Sequence, residues 1–185
     1  MTTIVAVKDP KYDVVVMASD SAFYAGGTFL AHGDKFVTCG HCAFGNAGRA
    51  IYDDWIKAEP DVLQDNPMPF ELRGRLEELF KRHGARSESD QDGLPRWGIE
   101  ALYVRAPDIF CFDGAMCVTQ LQHFGAVGSG ADFALGAMQV LCGSSEIEFI
   151  HPVEKAEWIA RHALRAAMIL DPWTAGTYTS KTLKR

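Results

Sequence analysis

Hydrophobic positions in the first third of the chain come in short uninterrupted runs. Residues 4–7 (IVAV) and 12–18 (YDVVVMA) are rich in β-branched side chains, and Asp9-Pro10-Lys11 between them is a turn sequence, so they predict an antiparallel pair. The second run is apolar on both faces, as a strand is when its sheet is covered on each side. A Gly-containing stretch, 19–34, leads to a second strand pair, 35–38 and 42–45, joined across Gly40. The period then changes. In 47–58 apolar residues recur at Ile51, Trp55 and Ile56, and in 72–83 Leu76, Leu79 and Phe80 share one stripe with Gly84 available to end it. Both segments predict helices, the first broken near Pro60. Residues 83–96 are polar and punctuated by Gly and Pro, which predicts an exposed loop. Strand signals return at 98–105, 109–112 and 124–127, followed by helices at 131–141, opened by Ser129, and at 153–170, stopped by Pro172. A short strand at 177–180 precedes a basic tail. Segregated runs of strands and helices indicate an α+β fold. Strands apolar on both faces then predict two packed sheets between helix layers, a four-layer αββα sandwich in a single domain spanning 1–185.

Composition narrows the classes of function. With 185 residues, 48% of them hydrophobic, the chain is expected to build one sizeable core. The net charge of −6 and the lack of a Lys/Arg block argue against nucleic acid as a partner, because non-specific affinity for it comes from clustered positive charge. No window approaches the roughly 18 apolar residues of a membrane span. The four apolar residues of 4–7 are too few for a secretory signal, so the mature chain is expected to begin at or beside Met1. Five cysteines, an odd number without an export signal, predict a reducing compartment and hence a cytoplasmic location.

Cys39-Gly40-His41-Cys42 has the spacing of a thiol-disulfide redox sequence, but strand signals on both sides predict a hairpin rather than a helix N-terminus, and two small buried hydrophobes beside a turn. The six histidines are scattered without an H-E-x-x-H or i, i+4 pair, and Cys111 and Cys117 lack a usual pairing spacing, so no metal is expected. Gly128-Ser129-Gly130 lacks the Walker lysine and the flanking glycines of a nucleophile elbow; alone, Ser129 reads as a helix N-cap. Thr2 is the remaining candidate. Removal of Met1 would leave a threonine with both a hydroxyl and a free α-amine, whose ordinary pKa of about 7.7 to 8.0 lets it act as a base near neutrality.

In the segments TTIVAV (2–7), VVVMASD (14–20), Gly33-Asp34-Lys35, GNAGRA (45–50) and AVGSGADFALGAM (126–138), the chain resembles the proteasome β-subunit family of N-terminal nucleophile hydrolases, whose bacterial members include the heat-shock peptidase HslV and other proteasome homologues. The resemblance runs in order along nearly the whole chain. It implies Thr2 as nucleophile, Asp20 as the acid that orients a lysine, Lys35 as the cation that tunes the threonine, and Ser129 as the serine beside its amine. It implies an oxyanion site at Ala47-Gly48, with the Ala47 N–H the preferred donor and Gly48 the donor under a one-residue shift. Phe23 and Tyr24 resemble the segment that pairs with extended substrate. Arg49 and Asp53 either face a specificity pocket or, one helical turn apart, pair with each other.

One departure stands out: the family's aspartate near the end of the last long helix aligns with Met168, leaving Asp171 or Thr174 to substitute. The resemblance further implies a threonine peptidase without a cofactor, cleaving unfolded polypeptides or peptides inside stacked rings of about 12 to 14 subunits in all, with an ATP-dependent unfoldase as partner. Two alternatives follow from the same residues. One is a ring-forming structural subunit with little or no catalysis, favoured by Met168 and by retention of Met1; the other is a small-amide hydrolase using the same threonine.

Overall fold

A strand that is apolar on both faces must be covered on both, and this chain meets that demand by stacking two sheets and covering each with helices. The computed structural model describes residues 2–9, 13–25, 28–89, 91, 95–143 and 152–185. Strands β1 (Thr3–Asp9), β2 (Val14–Asp20), β3 (Ala22–Ala25), β4 (Thr28–His32), β5 (Phe36–Cys39) and β6 (Cys42–Asn46) are followed by helices α1 (Ala50–Ala58) and α2 (Pro69–Arg82). Two short strands, β7 (Glu88–Ser89) and β8 (Pro95–Arg96), then precede β9 (Ala101–Arg105), β10 (Asp108–Phe112), β11 (Val118–Leu121) and β12 (Phe124–Gly128). Helices α3 (Ala131–Cys142) and α4 (Pro152–Leu170) and strand β13 (Tyr178–Lys184) complete the order.

One sheet has the strand order β12-β1-β2-β13, the other β11-β10-β9-β6-β5, and neighbouring strands are antiparallel. Alternation along β1 divides its side chains between two layers. Ile4 and Ala6 pack with Ala43, Leu102 and Val104 of the opposite sheet, whereas Val5 and Val7 pack with Ala134, Met138, Ala160 and Leu164 of α3 and α4. On the far side of the second sheet, Phe44, Tyr103 and Phe112 meet Tyr52, Ile56, Leu72, Leu76 and Phe80 of α1 and α2. The result is the expected αββα sandwich.

Boundaries differ from expectation where side-chain pattern is a poor guide. α1 begins at Ala50 rather than at 47, leaving Ala47 and Gly48 in a bend before it. α2 begins at Pro69, a residue suited to a first turn, with the Glu71 carboxylate accepting the Met68 N–H at 2.8 Å. The basic tail is the second half of β13, which buries Leu183 while Lys181 and Lys184 point outward. The β3–β4 hairpin and β11 escaped the sequence pattern. Pro10, Lys11 and Tyr12, part of the turn and strand expected there, lie outside the described residues.

Cys39 and Cys42 face each other across the expected hairpin turn, where Gly40 has φ 56°. The Cys42 thiol is buried, donates to the Cys39 carbonyl at 3.0 Å, and is pushed up in pKa by that burial. Among the described residues no group of three or more His, Cys, Asp or Glu could hold a metal ion, and no helix is long and apolar enough to cross a membrane.

Candidate active site

Thr2 and Thr3 enter β1 against the loop that precedes α3. The Ser129 N–H donates to the Thr2 carbonyl at 3.0 Å, and Thr2 itself is buried. A Cβ on Gly128, whose φ is 101°, would stand 1.8 Å from the Thr2 carbonyl oxygen. A Cβ on Gly130 would stand 2.5 Å from Thr3 Oγ1. Glycine therefore flanks Ser129 because the start of β1 needs the space. Ser129 does not cap α3, as its position alone suggested. The N-cap is Gly130, and the Ser129 hydroxyl donates instead to Asp171 Oδ2 at 2.6 Å.

Asp20 ends β2 and Lys35 immediately precedes β5. Both side chains are fully buried, with Lys35 Nζ 2.8 Å from Asp20 Oδ2. Asp20 Oδ1 accepts the Thr3 N–H at 2.7 Å, so the ion pair is fastened to the backbone next to Thr2. Burial pushes the Lys35 ammonium below its usual pKa, and the attraction of Asp20 opposes that shift. The Phe23 ring lies beneath the ammonium, with its centroid 5.2 Å from Nζ.

The carboxylate expected at the end of the long helix comes from Asp171 rather than from position 168. Met168 is half-buried within α4, while Asp171 follows the last helical residue and still donates its N–H to the Ala167 carbonyl at 2.7 Å. Asp171 Oδ2 accepts from Thr174 Oγ1 at 2.5 Å as well as from Ser129. With its proton so committed, Thr174 Oγ1 accepts from Thr3 Oγ1 at 2.6 Å, and Thr3 Oγ1 accepts the Gly130 N–H at 3.0 Å. Burial works to raise the Asp171 pKa, but the hydrogen bonds from Ser129 and Thr174 outweigh it and hold the carboxyl below its usual range. Thr3 was the participant that sequence reasoning missed; its only signal was a second threonine after Thr2.

The Ala47-Gly48 bend reaches this site from the other sheet. A Cβ on Gly128 would lie 3.1 Å from the Ala47 methyl as well as against Thr2. The Ala47 N–H donates to the Glu100 carbonyl at 2.7 Å, and the Gly48 N–H to Asn46 Oδ1 at 2.8 Å. Gly48 tolerates no side chain, since a Cβ would meet the Gly98 carbonyl oxygen at 2.2 Å.

No family model and no curated protein sequence matches the chain. Solved structures do. BPH from Thiobacillus denitrificans superimposes with a TM-score of 0.79 at 23% identity over 99% of this chain and 98% of its own. Its complex with epoxomicin gives the same score and coverage at 22% identity. HslV from Trypanosoma brucei gives a TM-score of 0.70 at 21% identity over 100% of both chains. The fold is that of BPH and HslV.

On this HslV-type fold the remaining candidates divide. Phe23, on β3, touches the Lys35 ammonium; Tyr24 sits beside it in the strand, in register with Phe29. Arg49 does not pair with Asp53. Its guanidinium binds Glu88 of the β7–β8 hairpin, and Asp53 is buried and takes a hydrogen bond from Asn46 Nδ2 at 3.2 Å. Burial pushes the Asp53 pKa up to about 7, against the Asn46 hydrogen bond and the Lys57 charge.

Proposed function

We propose that this chain is a threonine peptidase of the proteasome β-subunit type, acting through Thr2 once Met1 has been removed. The observation that carries the reading is the fully buried Lys35–Asp20 pair fastened to the backbone beside Thr2. A cation held there at the cost of its hydration favours a neutral amine and a nucleophilic hydroxyl on the adjoining residue. In the proposed reaction, Thr2 Oγ attacks the peptide carbonyl and its proton passes to the Thr2 amine. The tetrahedral oxyanion is stabilised by the Gly48 N–H, whose partner is the side-chain amide of Asn46, whereas the Ala47 N–H is held by the backbone carbonyl of Glu100. Collapse breaks the C–N bond, the leaving amine takes the proton, and an ester on Thr2 remains. Water activated by the same amine then hydrolyses the ester.

Asp171 weakens the case for a non-catalytic subunit, since it gives Ser129 the carboxylate partner that Met168 lacks. The substrates of this proposal are unfolded polypeptides or peptides. It includes self-association into stacked rings, delivery by an ATP-dependent unfoldase and a cytoplasmic location, all taken from the family resemblance.

The deciding experiment pairs intact-mass analysis of the purified chain with peptide turnover. Loss of Met1, turnover abolished by Thr2→Ala, and inhibition by epoxomicin, the ligand of the BPH complex, are the expected results. Met1 retained in every preparation would falsify the reading. Cleavage of small amides but never of peptides would favour the small-amide hydrolase instead.

A further inference from the structure

We infer that Asn46 is a positioning residue for the oxyanion donor, an inference that rests on the threonine-peptidase reading. Asn46 closes β6, is 2% exposed, and is bonded at both ends of its side-chain amide. Oδ1 accepts the Gly48 N–H at 2.8 Å, while Nδ2 donates to the Arg49 carbonyl at 3.1 Å and to Asp53 Oδ1 at 3.2 Å. An asparagine that bonds the N–H two residues on makes an Asx turn. Here the turn is also gripped from behind by a buried carboxyl on the first turn of α1. Asp53 is near the midpoint of its titration at neutral pH, with Lys57, Asp54 and Lys35 as the neighbouring charges. Protonated or ionised, it keeps an oxygen that accepts from Nδ2.

The consequence falls on the Gly48 peptide unit. Ala47 is tied to Glu100, and Gly48 lies so close to Gly98 and Ile99 that no Cβ fits. Within this fixed bend Asn46 Oδ1 aims the one N–H that the proposed chemistry needs. In the resting chain the amide oxygen satisfies that donor. When Thr2 adds to a carbonyl, the new oxyanion shares that N–H with Oδ1, so neither the clamped asparagine nor the backbone need reorganise during the reaction. The asparagine therefore acts through Gly48 and does not itself touch the substrate.

Steady-state kinetics on the full chain with an unstructured peptide test this, with Thr2→Ala assayed in parallel. Asn46→Ala is expected to lower kcat about 10-fold or more with KM unchanged, because the donor serves only the transition state. The exchange Asn46→Asp/Asp53→Asn keeps an acceptor for Gly48 and a donor between the two positions, gives up the bond to the Arg49 carbonyl, and recovers part of kcat. Thermal unfolding and native mass, measured on each variant, separate this from a folding or assembly defect. Thr2-dependent turnover whose kcat ignores Asn46→Ala, or that changes in KM alone, overturns the positioning role. Failure of the exchange to recover kcat in a folded, assembled protein also overturns it. Turnover that survives Thr2→Ala overturns the threonine reading itself, and the role of Asn46 falls with it.

Discussion

A lysine with no solvent exposure is sustained only by what it touches, and Lys35 touches Asp20. Removing one member of such a pair leaves the other charged in a medium that cannot hydrate it, at a cost of about 3–5 kcal/mol. A loss of turnover in Lys35→Met would therefore be ambiguous between chemistry and folding. The double variant Lys35→Met/Asp20→Asn resolves it. An uncharged amide at position 20 can still accept the Thr3 N–H, so much of the stability lost in Lys35→Met should return. Turnover should not return, since the positive potential beside Thr2 is gone. Unfolding temperature and peptide hydrolysis on both variants check this. Recovery of both together would mean that the ion pair is structural alone.

At the scale of elements, period and β-branching made the central strands and the four helices legible, because β1 and β2 bury uninterrupted apolar runs, IVAV and VVVMA. The β3–β4 hairpin was not legible: its glycines and aromatics carry no alternation, and its partners are set by the fold. The site was legible in part. Asp20, Lys35 and Ser129 stand at element ends that the sequence marks, whereas Asp171 joins Ser129 only across 42 positions of chain, a contact no local pattern encodes. Helix α3 offers a direct test of why its opening glycine is there. A Cβ at Gly130 would meet Thr3 Oγ1 at 2.5 Å, Thr174 Oγ1 at 2.8 Å and the Ala167 methyl at 2.9 Å, while one at Gly136 meets nothing within 4 Å. Gly130→Ala should destabilise by roughly 1–3 kcal/mol through overpacking. Gly136→Ala should stabilise by about 0.5–1 kcal/mol through helix propensity. Denaturant midpoints of the two variants moving in the same direction would remove the close-approach explanation.

In the whole molecule the candidate site is divided between the sheets. Thr2, Asp20 and Ser129 belong to the termini of β1, β2 and β12, whereas Asn46 and the Ala47-Gly48 bend follow from β6. The distance from nucleophile to oxyanion donor is then set by how the two sheets pack, and that packing is the layer containing Ile4, Met17, Leu102 and Val104. Leu102 is fully buried there, in register with Gly45 one residue before Asn46. Leu76 is equally buried but lies between α2 and the outer face of the second sheet. Truncating either leucine to alanine should cost about 2–5 kcal/mol, so the pair is matched in chemistry and burial. They differ in what the cavity can relax. A collapse at Leu102 draws the sheets together and shifts β6 relative to β1, whereas a collapse at Leu76 moves a helix against a sheet face remote from Thr2. Misplacement of reacting groups by about 1 Å can lower a rate by about 100-fold. Below the unfolding transition, Leu102→Ala should therefore lose far more kcat than Leu76→Ala at similar loss of stability. Equal kcat in the two variants would show that the inter-sheet spacing does not set the geometry of the site.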